Sequence, residues 1–242
     1  SALLVLVPGL NAPCCQRMTA ASTDDQSRTA ALYVPDLNAG GLDVITKGLI
    51  QVWYSTNTLQ KLEAEIVHAS PLRLACLSCP SVYFHLSEEA RAKCGASNFE
   101  YDRRWADDKN FVFYDCYAPS NVEESLHGQF DFLIADPPSL QTSVLENYAT
   151  TIRLLAAPGA RILFSTFDSF QPTMSELLGL SPQRFKPALP GLGYAESGRW
   201  SFYANFASVA LCLPNEELAN AGAADEPDDG WAEGFHTPQH EI

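Results

Sequence analysis

Nowhere in the 242 residues do about 18 apolar side chains follow one another, the run a membrane-spanning helix needs. Basic residues are also scarce: Lys and Arg number 15 against 29 Asp and Glu, a formal charge of −14. A phosphate-backbone binder neutralises its partner with clustered cations, so this balance argues against nucleic acid. A disulfide framework is missing as well. Seven cysteines, an odd number, are scattered along the chain, whereas secreted scaffolds are denser and evenly paired. Cys76-Leu-Ser-Cys79 has the spacing of half a zinc site or a redox pair, yet no second pair follows, and a structural zinc takes four ligands. The cysteines are therefore read as small buried residues in a reducing compartment, with no metal. His68, His85, His127, His236 and His240 form no ligand set: the last two are four apart, but in an acidic segment broken by Pro238.

What is present is a chain 46% apolar, ample for one buried core. Three regions are expected: an arm or linker over 1–46, a main domain over 47–214, and an acidic tail over 215–242. The tail holds eight acids (Glu216, Glu217, Asp225, Glu226, Asp228, Asp229, Glu233, Glu241) and no Lys or Arg, which leaves 15 basic and 21 acidic residues in the body. Such a tail is solvated unless a partner holds it. Ser1–Leu10 is apolar but lacks a basic front and is broken by Pro8, so it does not have the layout of a secretory signal. Two readings stand for it: the remnant of a cleaved organelle presequence, or an extended arm packed on the body.

Helical spacing predicts a helix over Thr56–His68 behind a Ser55/Thr56 cap. Apolar runs predict strands at Leu72–Leu77, Asn98–Tyr101, Phe111–Tyr114, Phe130–Ala135 and Arg161–Thr166, with one or two more in Trp200–Leu213. Between them fall helices at Ser81–Cys94, capped by Ser81, at Val144–Leu155, stopped by Pro158-Gly159, and at Thr173–Leu178. Apolar strands alternating with helices signal a parallel sheet covered on both faces, whose ligands sit beyond the carboxyl ends of the strands. Gly191-Leu-Gly193 follows Pro190, not a strand, and is read as a loop.

Those strand ends are acidic. Asp136-Pro137-Pro138-Ser139 offers only acceptors near the backbone, because neither proline has an N–H. Acceptors at that point suit a substrate amine, whose N–H bonds they hold while its lone pair meets an electrophile. Asp102 after the second strand suits two ribose hydroxyls, and Asp115 after the third suits an adenine amino group. Helix capping explains any one acid; three in succession fit an S-adenosylmethionine methyltransferase better. Against this, the first strand lacks a Gly-rich loop and continues Leu77-Ser78-Cys79-Pro80-Ser81, so cofactor contacts there fall to Ser78, Cys79 and Ser81.

Five segments occur in order and at matching spacing: Gln51–Ser55 (QVWYS), Leu74–Tyr83 (LACLSCPSVY), Phe99–Trp105 (FEYDRRW), Phe111–Asp115 (FVFYD) and Phe130–Pro138 (FDFLIADPP). Together they resemble the elongation factor 1-alpha lysine methyltransferase family, formerly catalogued as adenine-N6 DNA methyltransferases, over about residues 50–207. The resemblance implies a seven-stranded Rossmann-like sheet, S-adenosylmethionine as cofactor, a protein lysine as acceptor, and a cytoplasmic location, with a mitochondrial one as the alternative. It assigns catalysis to Asp136, Pro137 and Pro138, and a substrate pocket to Trp53, Tyr54 and residue 139. The family carries an aromatic at that last position, where this chain has Ser139. An aromatic face there attracts an ammonium by about 0.5–2 kcal/mol. Either Trp53 or Tyr54 replaces it, or the chain kept the fold and gave up turnover as a subunit of a larger assembly. A working site predicts that Asp136 faces an open cleft, free of any Arg.

Overall fold

Ser55 ends an extended stretch and starts helix α1 (Thr56–Ala69): its Oγ accepts the Thr58 amide at 3.1 Å, the bond a serine N-cap is favoured for. The computed structural model describes residues 5–6, 42–45, 49–138 and 141–219, the segments up to residue 52 as backbone alone. Before α1, β1 (Val5–Leu6), β2 (Leu42–Ile45) and β3 (Leu49–Val52) form a small antiparallel sheet in the order β1-β3-β2. β2 thus lies within the stretch read from sequence as an arm.

The main sheet starts with β4 (Leu74–Leu77) and continues through β5 (Ser97–Glu100), β6 (Phe111–Phe113), β7 (Phe130–Ala135), β8 (Ala156–Phe167), β9 (Ser181–Pro182) and β10 (Trp200–Ala204). Its order is β6-β5-β4-β7-β8-β10-β9. The first five strands are parallel, while β10 runs antiparallel to both β8 and β9, so the seven-stranded Rossmann-like sheet is a mixed one. The chain leaves β4 towards β5 and β6 on one side, then returns to place β7 on the other. Such a reversal opens a crevice at the carboxyl ends of β4 and its neighbours.

Alternate residues of each central strand feed two separate cores. Leu74 and Cys76 of β4 join Ile134 of β7 under α1, through Leu59, Leu62 and Ile66. Ala75, Leu77, Leu133 and Ala135 pack instead on α4 (Thr142–Leu155), through Val144, Leu145, Tyr148 and Ile152. Burial on both faces is why these strands read as continuous apolar runs, and each large side chain buried this way contributes about 1.5–3 kcal/mol.

The single helix expected over Ser81–Cys94 is two: α2 (Pro80–His85) and α3 (Glu88–Lys93). Leu86 is extended, and Ser87 caps α3 by accepting the Ala90 amide at 3.1 Å, with Glu88 and Glu89 in the first turn favouring the new N-terminus. Ser81 is not the cap of α2 either, since Cys79 holds that position with Pro80 at the first helical residue. Helix α5 (Gln171–Leu178) begins two residues earlier than expected, and the short helix α6 (Tyr194–Ser197) was not expected at all.

The C-terminal segment fastens onto α1. Glu65, 1% exposed, accepts through Oε2 from the Ser208 hydroxyl at 2.6 Å and from the amides of Val209 and Ala210 at 3.0 and 2.9 Å. At the other end of α1, helix α7 (Glu216–Ala219) brings Glu217 Oε2 to the Ser55 hydroxyl at 2.7 Å and Asn57 Nδ2 at 3.2 Å. A carboxylate beside the first turn of α1 also complements the helix dipole. No described helix is long and apolar enough to cross a membrane.

Candidate functional site

The loop after β4 takes a glycine-like conformation without a glycine. Ser78 has φ +53°, a left-handed backbone that costs a non-glycine residue roughly 1–2 kcal/mol. Its amide donates to Phe99 O of β5 at 2.8 Å, and its Oγ accepts from the Tyr148 hydroxyl at 2.5 Å. Such strain persists where the surroundings fix it, commonly at a ligand site. Cys79 turns away: its Sγ donates to Ile134 O at 3.5 Å, and burial, with Cys76 alongside, pushes the thiol well above its ordinary range. The Ser81 hydroxyl is buried without a hydrogen bond.

On the β5 side the strand ends one residue before Tyr101, on Glu100, which is fully buried. Its Oε1 accepts the amides of Tyr101 and Asp102 at 2.8 and 3.0 Å, while Oε2 makes no hydrogen bond. Burial pushes its pKa up to about 7, against the two amides, which pull it down. Asp102, expected as the ribose acceptor, is the N-cap of a 3₁₀ turn over Arg103–Trp105. Both its oxygens are taken by Arg104: Oδ1 by the amide at 3.0 Å and Oδ2 by Nε at 2.7 Å. Asp115 lies just past β6, half-buried, with Oδ1 on the Tyr117 amide at 2.9 Å.

On the β7 side the Asp136 amide donates to Leu77 O at 3.1 Å, which carries the sheet one residue further and fixes the carboxylate beside β4. Asp136 is 1% exposed, and neither oxygen makes a hydrogen bond among the described residues. Burial lifts its pKa to about 7. The hydroxyls of Tyr54 and Ser165 lie beside it and draw it back down. Ser165 stands there because Ala135 is in register with Phe164 across β7 and β8, so the next residues of the two strands fall opposite one another. Among the described residues no arginine pairs with Asp136, and the carboxylate is closed off from solvent where an open cleft was expected. Pro137 is buried and Pro138 half-buried, while Ser139 lies outside the described residues.

Trp53 and Tyr54 are buried at 1% and 2% exposure. Trp53 meets Trp105 edge-on at 6.4 Å, and its indole N–H makes no hydrogen bond. Tyr54 packs on Phe202 at 5.6 Å. The structure thus brings Ser78, Glu100 and Asp136 to the carboxyl ends of three adjacent strands, Glu100 and Asp136 on either side of the β4 end, with Tyr54 against Asp136. Sequence reading missed Glu100, Tyr148 and Ser165. Glu100 had a signal: it is the acid that ends the strand itself, whereas Asp102 stands two residues on, in a capping position. Among the described residues no three His, Cys, Asp or Glu side chains stand close enough to hold a metal ion. Four of the described cysteines, Cys76, Cys79, Cys94 and Cys116, are buried free thiols.

Asp136, with neither oxygen bonded among the described residues, and Glu100, with Oε2 left over, are costly groups to seal beside one strand end. They suit a ligand that brings hydroxyl donors to one and a cation or amine to the other. Residues 46–208 match the family described as probable N6-adenine methyltransferase. EEF1A lysine methyltransferase 1 of Mus musculus is 36% identical over 143 residues, 57% of this chain and 66% of that protein. The match therefore spans just under two thirds of the mouse relative's length. The Danio rerio protein of the same name is 34% identical over 168 residues, 66% of this chain and 98% of that protein. Among solved structures, Aeropyrum pernix fibrillarin with bound S-adenosyl-L-methionine aligns with 71% of this chain and 85% of its own at 15% identity and a TM-score of 0.39.

Proposed function

Because the chain belongs to the probable N6-adenine methyltransferase family, we propose that it transfers a methyl group from S-adenosylmethionine to the side-chain amine of a protein lysine. Relatives named as EEF1A lysine methyltransferases support elongation factor 1A as the acceptor protein, and the net charge of −14 favours a protein over a nucleic acid. The observation that carries the reading is Asp136: a buried carboxylate with both oxygens unpaired, followed by two residues that cannot donate a backbone hydrogen bond.

The residues of the crevice divide the work. Glu100 Oε2 is the open acceptor for the ribose hydroxyls, in preference to Asp102, whose oxygens are committed to Arg104. Asp115 takes the adenine amino group, and the left-handed turn at Ser78 takes the part of a glycine in the cofactor loop after β4. S-adenosylmethionine, when bound, supplies an electrophilic methyl on a sulfonium. Asp136 and the Pro137 carbonyl take the N–H bonds of the neutral lysine amine and turn its lone pair towards that methyl, a positioning effect above all. Trp53 and Tyr54 give the amine an aromatic wall.

A second reading draws on the closure of Asp136: a chain that keeps the fold inside a larger assembly without turnover. Titration calorimetry with S-adenosylmethionine, followed by methyl transfer to purified elongation factor 1A, separates the two. Binding in the low micromolar range, about −8 kcal/mol, with lysine methylation supports the enzyme. Binding without transfer to any lysine supports the subunit, and absence of binding removes both the cofactor assignment and the enzyme.

A further inference from the structure

At the end of the sheet opposite Asp136, where β4, β5 and β6 begin, an open groove of about 270 Å³ is lined by Arg73, Arg91, Gly95, Lys109 and Asn110. Three cations around one groove are conspicuous in a chain with so few. None of the three has a carboxylate partner among the described residues. Arg73 lies over the Phe130 ring at 4.9 Å and reaches Gln129, and Arg91 lies over Tyr83 at 4.8 Å and donates to the Tyr83 carbonyl at 3.3 Å. Lys109 is exposed and makes no side-chain hydrogen bond.

Two acids next to these cations in the chain or in the fold are already engaged. Asp131 accepts the amides of Leu72 and Arg73, both at 2.9 Å, and Asp108 Oδ1 accepts the Tyr83 hydroxyl and the Asn110 amide, both at 2.8 Å. Gly95 keeps the floor open. A Cβ there would meet Leu72 O at 2.6 Å, and its φ of +49° disfavours any other residue. Leu72, 80% exposed, adds an apolar rim.

We propose that this groove docks the chain's own acidic tail, through the segment 225–235. That segment carries Asp225, Glu226, Asp228, Asp229 and Glu233 with no basic residue, and it interleaves Trp231 and Phe235 with them. Carboxylates meet the three cations, and an aromatic side chain meets Leu72.

Reach allows it. Glu217 is held at Ser55, the start of α1. From there the 14 residues of α1 span about 21 Å at ~1.5 Å per residue. The four residues on to Arg73 add at most about 13 Å. An extended chain at ~3.3 Å per residue covers this within about ten residues of Ala219, which brings the segment from about Asp228 and Asp229 to Glu233 to the groove. Tethering on one molecule makes the encounter intramolecular, with an effective concentration that weak ionic contacts can exploit.

The test uses the full chain and a Glu-specific endoprotease, reading cleavage after Glu233 against a free peptide of residues 220–242 under the same conditions. At low salt the tail of the protein is cut at least fivefold more slowly than the peptide. Lys109→Glu, a change at an exposed side chain that leaves the packing intact, removes most of that protection, as does salt of about 0.5 M, which shortens the screening length below 5 Å. In a variant with Asp225, Asp228 and Asp229 changed to Asn, Lys109 becomes severalfold more reactive towards an acylating reagent than in the parent chain. Equal cleavage of protein and peptide at low salt overturns the proposal. So does protection that survives Lys109→Glu and salt, and so does protection that rises with protein concentration, which assigns the groove to a second copy's tail.

Discussion

Asp136→Asn tests the buried carboxylate by stability and turnover together, and the two effects have opposite signs. A rise in pKa from 3.8 to about 7 means that the folded protein holds the proton more tightly than the unfolded chain does. At about 1.4 kcal/mol per tenfold, keeping the group ionised costs the fold about 4 kcal/mol. The cost is absent below pH ~4, grows between about pH 4 and pH 7, and is constant above. Asparagine fills the same space without charge, so urea unfolding with unchanged m shows little difference between variant and parent near pH 4. At pH 8 the variant is more stable by roughly 2–4 kcal/mol. Glu100 titrates over nearly the same range, from 4.5 to about 7, and lowers the stability of the parent protein at high pH in the same direction. The difference between variant and parent removes that common contribution. Turnover moves the other way: losing the charged acceptor lowers methyl transfer at least a hundredfold, about 2.7 kcal/mol, with cofactor affinity little changed. A variant no more stable than the parent at pH 8 would refute the idea of an unpaired buried charge, whatever happens to activity.

Glu100→Gln weakens S-adenosylmethionine binding at least tenfold by calorimetry, whereas Asp102→Asn lowers the melting temperature through the lost Arg104 contacts and moves the binding constant less than threefold. Ser78→Gly and Ser78→Ala both remove the Tyr148 hydrogen bond, but only glycine relieves the left-handed backbone; chemical denaturation should find the glycine variant more stable by about 1 kcal/mol. In a working enzyme Ser139→Tyr raises kcat several-fold by adding an aromatic face for the ammonium, read in a single-turnover methylation assay. Truncation after Ala219 keeps Glu217 on Ser55 and leaves the melting temperature within about 3 °C, whereas Glu217→Ala in the full chain lowers it, since the first turn of α1 loses its acceptor.

The parallel strands were legible because burial on both faces leaves no polar residue in Leu74–Leu77 and only the half-buried Asp131, near the start, in Phe130–Ala135. α1 was legible to within a residue at its end from Ser55 and the spacing of Leu59, Leu62 and Ile66. The break at Leu86–Ser87 was not, since apolar residues continue across it and a serine cap looks the same as a serine inside a helix. Strand β9, two residues paired with Tyr203 and Ala204, has no pattern of its own to read. In the site, Asp136 was visible through the two prolines behind it. Glu100 was hidden because an error of one or two residues at a strand end exchanges an acid that points into the crevice for one that caps a turn. The glycine rule misjudged the β4 loop for a related reason: it looks for a residue type, and Ser78 supplies the conformation instead.

The clasp between Glu65 and residues 208–210 sets a timetable for synthesis. α1 leaves the ribosome early, yet the three donors that satisfy its buried carboxylate are encoded 143 to 145 residues later. At about 5–20 residues per second this is a wait of roughly 7–30 s, during which a 14-residue helix is marginal by itself and Glu65 has only water for a partner. α1 can settle on β4 and β7 for good only when residues 208–210 have emerged. The first of the described helices to be translated is among the last to become permanent, and a nascent chain halted before residue 208 would leave one face of its sheet uncovered.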